Sequence, residues 1–182
     1  MKRIAEEGVD DATKRRLFDD GPEKIISLAE LKDILSDATL ANKDMDQFLP
    51  GVLAFTIEDL NTATTFTVRK HGLGNADCKG RIIDGTCRLC GAYAAGVAAY
   101  SFKANIADVS DETNTLAVTC ADGAGRSLFG IDAYQFEQLT TSAAKDKIEA
   151  IMFVKKKSGC WIKMEAGSSK PLVVIYSIRN LA

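Results

Sequence analysis

Cys78-Lys-Gly-Arg-Ile-Ile-Asp-Gly-Thr-Cys87-Arg-Leu-Cys90 places three thiols within thirteen residues and ends in a Cys-x2-Cys pair. Zinc takes four ligands in a tetrahedron and prefers thiolate and imidazole, so this stretch supplies most of a closed structural site. His71, the single histidine of the chain, stands seven residues before Cys78. Two short chain reversals would bring His71, Cys78, Cys87 and Cys90 onto one ion as a Cys3His set; Asp77 is the alternative fourth ligand. Between Cys78 and Cys87 a β-branched centre has a glycine near each end, which predicts a short strand between turns. The pattern is that of a zinc ribbon with one irregular knuckle, inserted at about residues 70–92.

Other uses of these cysteines fit less well. A redox Cys-x2-Cys sits at a strand-to-helix turn after a βαβ pattern, and none precedes Cys87. A nucleobase deaminase needs His-x-Glu and a proline before its cysteine pair; here the residues are His71-Gly72-Leu73 and Thr86. No nucleophile–base pair, phosphate loop or paired-carboxylate motif is present, so the chain reads as a non-enzyme.

Working outward, 182 residues with 46% hydrophobic and 26% charged content predict one domain large enough to bury a core. No uninterrupted apolar run is long enough to span a bilayer, and Lys2-Arg3 is followed by Glu6-Glu7 rather than an apolar segment, so neither a membrane partner nor secretion is expected. Cys120 and Cys160 lie in apolar runs and read as buried thiols. A net charge of −2 gives no global attraction to nucleic acid, but the ribbon and its flanks are locally basic: Arg69, Lys70, Lys79, Arg81, Arg88 and Lys103 stand against Asp77 and Asp84.

Residues 1–24 read as a flexible, charged lead. Ile25 to Leu35 begins a short helix, with Ser27 and Glu30 spaced as a capping box. In the strand through 52–57, Val52, Ala54 and Thr56 alternate with Leu53, Phe55 and Ile57, which predicts one face in the core. Thr64 to Arg69 is a second β-rich run leading into the cysteines. Past them, Tyr100, Phe102, Ala104 and Ile106 share one side of a strand that forms a hairpin with Thr115–Ala121 across the turn Ser110–Asn114. Asp122-Gly-Ala-Gly125 reads as a turn into a helix over Arg126–Leu139, and Ser142–Glu149 as another short helix. Ala150–Lys156, Cys160–Glu165 and Leu172–Ile178 are predicted strands, with Lys155-Lys156-Lys157 at a hairpin tip.

Several short strands, helix after the third, and no βαβ repeat predict a mostly β fold: a five-stranded OB-fold barrel over residues 25–182, with an inserted zinc ribbon and flanking short helices. In this order the chain resembles the C-terminal zinc-ribbon OB-fold domain of the replication protein A large subunit, over about 150 residues. Ile26-Ser-Leu-Ala-Glu-Leu31 looks like the opening segment of that domain. Cys78-Lys-Gly-Arg-Ile-Ile-Asp84 is similar to its Cys-Asn-Lys-Lys-Val-Ile-Asp, and Cys87-Arg-Leu-Cys90 to its second knuckle. Asn105-Ile-Ala-Asp108 matches directly, and Leu128-Phe-Gly130 with Ala133, Phe136 and Leu139 resembles its barrel helix. The chain departs from the family in keeping one cysteine, Cys78, in the first knuckle where the family has two.

The resemblance implies non-catalytic single-stranded DNA binding in the nucleus, alongside other OB-fold subunits of a hetero-oligomeric complex, in DNA replication, repair or telomere maintenance. Such binding needs aromatic faces for bases and cations for phosphates. Phe66, Tyr93, Tyr100, Phe102 and Trp161 are the aromatic candidates; Arg69, Lys79, Arg81, Arg88, Lys103 and Lys163 are the cations. The competing expectation is a protein–protein scaffolding OB module with little DNA affinity of its own.

Overall fold

Hydrogen bonding closes five strands into a ring in the computed structural model, which describes residues 24–41, 46–61, 65–71, 78, 80–164 and 171–181. In chain order the elements are β1 (Ile25–Ile26), α1 (Leu28–Ala41), β2 (Asp46–Leu60), β3 (Thr67–Lys70), β4 (Ile82–Ile83), β5 (Thr86–Cys87), β6 (Val97–Tyr100), β7 (Phe102–Asp108) and β8 (Thr115–Cys120). There follow α2 (Asp122–Phe129), α3 (Ala133–Glu137), α4 (Thr141–Glu149), β9 (Lys156–Met164), β10 (Pro171–Ile175) and β11 (Arg179–Asn180). The barrel order is β2-β7-β8-β10-β9, with β9 returning to β2. Within this ring every pairing is antiparallel except β8 with β10. This is the five-stranded Greek-key barrel of the OB-fold. Among the described residues no helix is long and apolar enough to cross a membrane.

Alternation along the strands fills the barrel. Leu53, Phe55 and Ile57 of β2 meet Phe102, Ala104 and Ile106 of β7, Val118 and Cys120 of β8, Cys160 and Ile162 of β9, and Val173 and Ile175 of β10. The strand at 52–57 has both faces buried rather than one. Helices α2 and α3 supply Phe129 and Phe136, whose rings cluster with those of Phe66, Tyr100 and Phe102 at centroid separations of 4.7–6.4 Å. The Tyr100 hydroxyl donates to the carbonyls of Ile131 and Asp132, each at 3.1 Å, and so satisfies its one polar group inside the core.

Several local expectations are corrected. Ile25-Ile26 is a strand paired in parallel with Val52-Leu53, and the helix begins at Leu28. The capping box is present: the Ser27 Oγ accepts from the Glu30 N–H at 3.1 Å, and the Glu30 carboxylate accepts from the Ser27 N–H at 2.8 Å. The single helix expected over 126–139 is two helices, divided where Gly130 takes φ 69° and Asp132 caps the next turn in a capping box with Gln135. Gly123 and Gly125 lie within α2, not in a turn. Residues 150–153 form a turn, and Lys156, Lys157, Ser158 and Gly159 are inside β9, not at a hairpin tip. Lys156 is buried in that strand and its charge is disfavoured by desolvation, which lowers its pKa. Residues 1–23 of the charged lead lie outside the described residues.

A buried carboxylate ties the first helix to the barrel. Asp108, at the end of β7, accepts from the Leu28 N–H at 2.7 Å, the Ser110 N–H at 2.9 Å and the Ser110 hydroxyl at 2.6 Å. Burial works against the charge, but the Ser110 hydroxyl and the backbone donors outweigh it and hold the Asp108 pKa below the ordinary carboxylate range. The stability this contributes is full above the unfolded carboxylate pKa of about 4 and is lost as the pH falls through the lower native value. Asp108→Asn is expected to lose about 2 kcal/mol at neutral pH, the scale of a hydrogen bond to a charged group, and to flatten the acid limb of a urea-midpoint profile. A variant with the wild-type acid limb would assign that limb to another carboxylate.

Candidate metal centre and nucleic-acid interface

Between the first two barrel strands, β2 and β7, the chain leaves the barrel and returns. Its stem is β3 paired with β6, from Thr67↔Tyr100 to Lys70↔Val97. Beyond the stem the His71 N–H donates to the Gly80 carbonyl at 2.8 Å, and Lys70 bridges Arg81. The strand expected between Cys78 and Cys87 is a hairpin, β4 with β5, turned by Asp84 at φ 51° and Gly85 at φ 76°. Positive φ at both central positions is the type I′ requirement, and Asp-Gly is its sequence signal. The chain then turns back so that Tyr93 bridges Thr86.

These reversals bring the ligand atoms of His71, Cys78, Cys87 and Cys90 within 4.8 Å of one another. The Cys78 and Cys87 sulfurs are 3.4 Å apart, as are the Cys90 sulfur and the His71 Nδ1. A tetrahedral zinc site with Zn–S of about 2.3 Å and Zn–N of about 2.0 Å has edges of about 3.5–3.8 Å, so a small contraction of the set encloses an ion. Backbone N–H groups of Cys90 and, more weakly, Leu89 point at the Cys87 sulfur and help push its pKa down, which favours the thiolate. The Gly80 N–H pulls the Cys78 thiol down, but desolvation and the neighbouring sulfurs of Cys87 and Cys90 leave it raised to about 11. The cluster can hold a metal ion, and its soft donors suit zinc. Asp77, the alternative ligand, lies outside the described residues.

Gly80 shapes the knuckle. A Cβ there would lie 2.5 Å from the Cys87 sulfur and 2.6 Å from the Leu89 Cβ, so only glycine lets this backbone reach both. Gly80→Ala is expected to lower zinc affinity at least tenfold by displacing the sulfur, measured by competition with a chromophoric chelator. Unchanged affinity would show that the knuckle yields freely.

The nucleic-acid candidates separate sharply. Tyr100 and Phe102 are core residues, packed against Phe129, and offer no face to a base; Phe66 is half-buried in the same cluster. Tyr100 and Phe102 are corrected from stacking surfaces to packing, because period-two spacing faces them into the barrel. Arg69 is exposed but engaged: its Nη2 lies 2.6 Å from the Glu137 carboxylate, whose other oxygen accepts from Thr67 at 2.8 Å. That clasp joins the stem to α3, and no spacing in the sequence announced a partner 68 residues away. Arg81, Arg88 and Lys103 are exposed. Lys79 and the side chains of Trp161 and Lys163 lie outside the described residues.

The fold and this insertion define an OB-fold barrel carrying a potential metal-binding ribbon in its first inter-strand connection. No protein-family model matches the chain, and no curated protein matches it in sequence. Solved structures do. A chain of a replication protein A heterotrimer bound to ssDNA superposes with a TM-score of 0.65 at 14% identity, over 87% of this chain and 36% of that one. A chain of yeast RPA bound to ssDNA superposes with a TM-score of 0.58 at 17% identity, over 89% of each. At these identities the likeness is one of fold, an OB-fold barrel that superposes on those chains, and this chain spans little more than a third of the first neighbour's length.

Proposed function

We propose that this chain is a non-catalytic, sequence-tolerant single-stranded-DNA-binding subunit of a replication protein A-like complex, with a structural zinc in its ribbon. The observation that carries this reading is the ribbon, where Arg81 and Arg88, flanking the β4–β5 hairpin, are exposed with no ion pair among the described residues. Two exposed arginines joined through the Arg88 N–H and the Arg81 carbonyl suit a phosphate backbone. The zinc would be held by His71, Cys78, Cys87 and Cys90 and would supply rigidity rather than chemistry. Lys103, exposed on β7 with Asn105, adds a cation to the barrel face that OB-folds use for oligonucleotides. Lys79, Trp161 and Lys163 remain candidate contacts. The same reading places the protein in the nucleus, with other OB-fold subunits as partners, in replication, repair or telomere maintenance.

Fluorescence-anisotropy titration of a labelled single strand at two salt concentrations tests the proposal. Affinity is expected to fall steeply with salt, and the double substitution Arg81→Gln, Arg88→Gln is expected to flatten the log–log slope by about 1.4, two phosphates on a single strand. Absence of binding at low salt by zinc-loaded protein would reject DNA binding in favour of a scaffolding OB module.

A further inference from the structure

Register decides which side chains share the ribbon's outer face. Paired residues of an antiparallel ladder point to the same side, and neighbours along a strand to opposite sides. Ile82 pairs with Cys87, and both are buried beside Cys78 with Ala94 packed against them, so this is the metal side. The opposite side therefore carries Ile83 paired with Thr86, and Thr86 bridged to Tyr93. Just outside both strands the Arg88 N–H donates to the Arg81 carbonyl at 2.9 Å, so the two arginine backbones run side by side, and both residues are exposed. One aromatic residue and two arginines are thus exposed on one small hairpin, Tyr93 beside Thr86 and the arginines at the hairpin's base.

Two features mark this face as prepared for a ligand. The Tyr93 ring is 86% exposed, yet it is not loose. Its backbone is held by the Thr86 bridge and by hydrogen bonds of 2.9 Å on both sides, Cys87 N–H to Ala92 O and Ala94 N–H to Gly85 O. The ring lies on Gly85, where a Cβ would come within 2.5 Å of its Cε2. The second feature is the arginine pair. Like charges held close together repel, and neither arginine has an ion pair among the described residues. An anion between them would relieve this. On β7 and β8 of the barrel, the described outward residues Lys103, Asn105, Ala117 and Thr119 include one cation and no aromatic ring.

From this geometry we infer that the outer face of the ribbon is a nucleotide platform, with Tyr93 stacking an unpaired base and Arg81 and Arg88 gripping the adjoining phosphate. The inference rests on the single-strand reading above and locates its base contact on the ribbon rather than in the barrel. A stacked base tolerates any sequence because every base has a π-face, whereas the phosphate grip carries the salt dependence.

The test compares oligothymidylate with an abasic strand of equal length, using zinc-loaded full-length protein. Wild-type protein is expected to prefer oligothymidylate. Tyr93→Ala is expected to reduce that preference about tenfold while leaving zinc content and salt slope unchanged. Tyr93→Phe should retain the preference; Tyr93→Leu, which still covers Gly85 but has no π-face, should lose it. If wild-type protein binds and Tyr93→Ala and Tyr93→Leu keep the full preference, the platform is wrong and the DNA-binding reading stands. If wild-type protein binds neither strand, both fall.

Discussion

Gly125→Ala is expected to destabilise the protein by a net of about 2 kcal/mol, although alanine is the better helix former. Gly125 lies in α2 with its backbone against the Tyr100 ring; a Cβ there would be 2.2 Å from the ring Cγ and 2.5 Å from the Tyr100 Cβ. These atoms sit close to the Tyr100 backbone and cannot swing away. The ring is fully buried, and its hydroxyl is fixed by the Ile131 and Asp132 carbonyls. Overpacking a core of this density costs about 3 kcal/mol, and the helix propensity of alanine over glycine returns only about 1 kcal/mol. The measurement is the urea midpoint, with an unchanged m-value showing that stability alone moved. In a Tyr100→Ala background the added methyl should cost less, because the Cγ and Cδ2 it meets are gone and only the Cβ remains, so the two substitutions should be non-additive. An unchanged midpoint for Gly125→Ala would mean that α2 can lift off the barrel end without loss.

Cys87→Ser should abolish stoichiometric zinc binding and unfold the ribbon while the barrel stays folded. The ribbon has almost no core of its own: Ile82 and Ala94 pack around Cys78 and Cys87, and the cluster is separate from the barrel core. So small an apolar set cannot offset the conformational entropy of ordering the segment, which leaves metal ligation as its main source of stability. Barrel contacts do not pass through it. Metal analysis of the purified variant should give no zinc against one equivalent for wild type, and single-strand affinity should fall. The cooperative barrel transition should persist in thermal circular dichroism. Unchanged zinc content would remove Cys87 from the ligand set, and loss of the barrel transition would show that the two units fold together.

How much of this was legible beforehand depended on the range of the forces involved. Period-two hydrophobicity at Tyr100, Phe102, Ala104 and Ile106, the Ser27–Glu30 capping box and the helical segments after β8 are local patterns, and the structure contains each of them. The misplaced boundaries have local causes too. Gly130 breaks what hydrophobic spacing alone joins into one helix, and the alternation of Lys156, Ser158, Cys160 and Ile162 runs through a lysine that composition would put at a turn. The Asp84-Gly85 pair was a readable hairpin signal; recognising it would have placed Arg81 opposite Arg88 from sequence alone.

By itself the sequence determined a mostly β barrel and a soft-donor cluster, because side-chain periodicity and short ligand spacing are set by bonds along the chain. Tertiary structure alone decided the rest. It closed β9 onto β2, turned Tyr100 and Phe102 into packing, clasped Arg69 to Glu137, and left Tyr93, Arg81 and Arg88 exposed on the ribbon. The physical reason is that whether an aromatic ring meets a core or a solvent-facing groove depends on which distant strand covers it, and that is fixed by strand register and burial rather than by any neighbour in sequence.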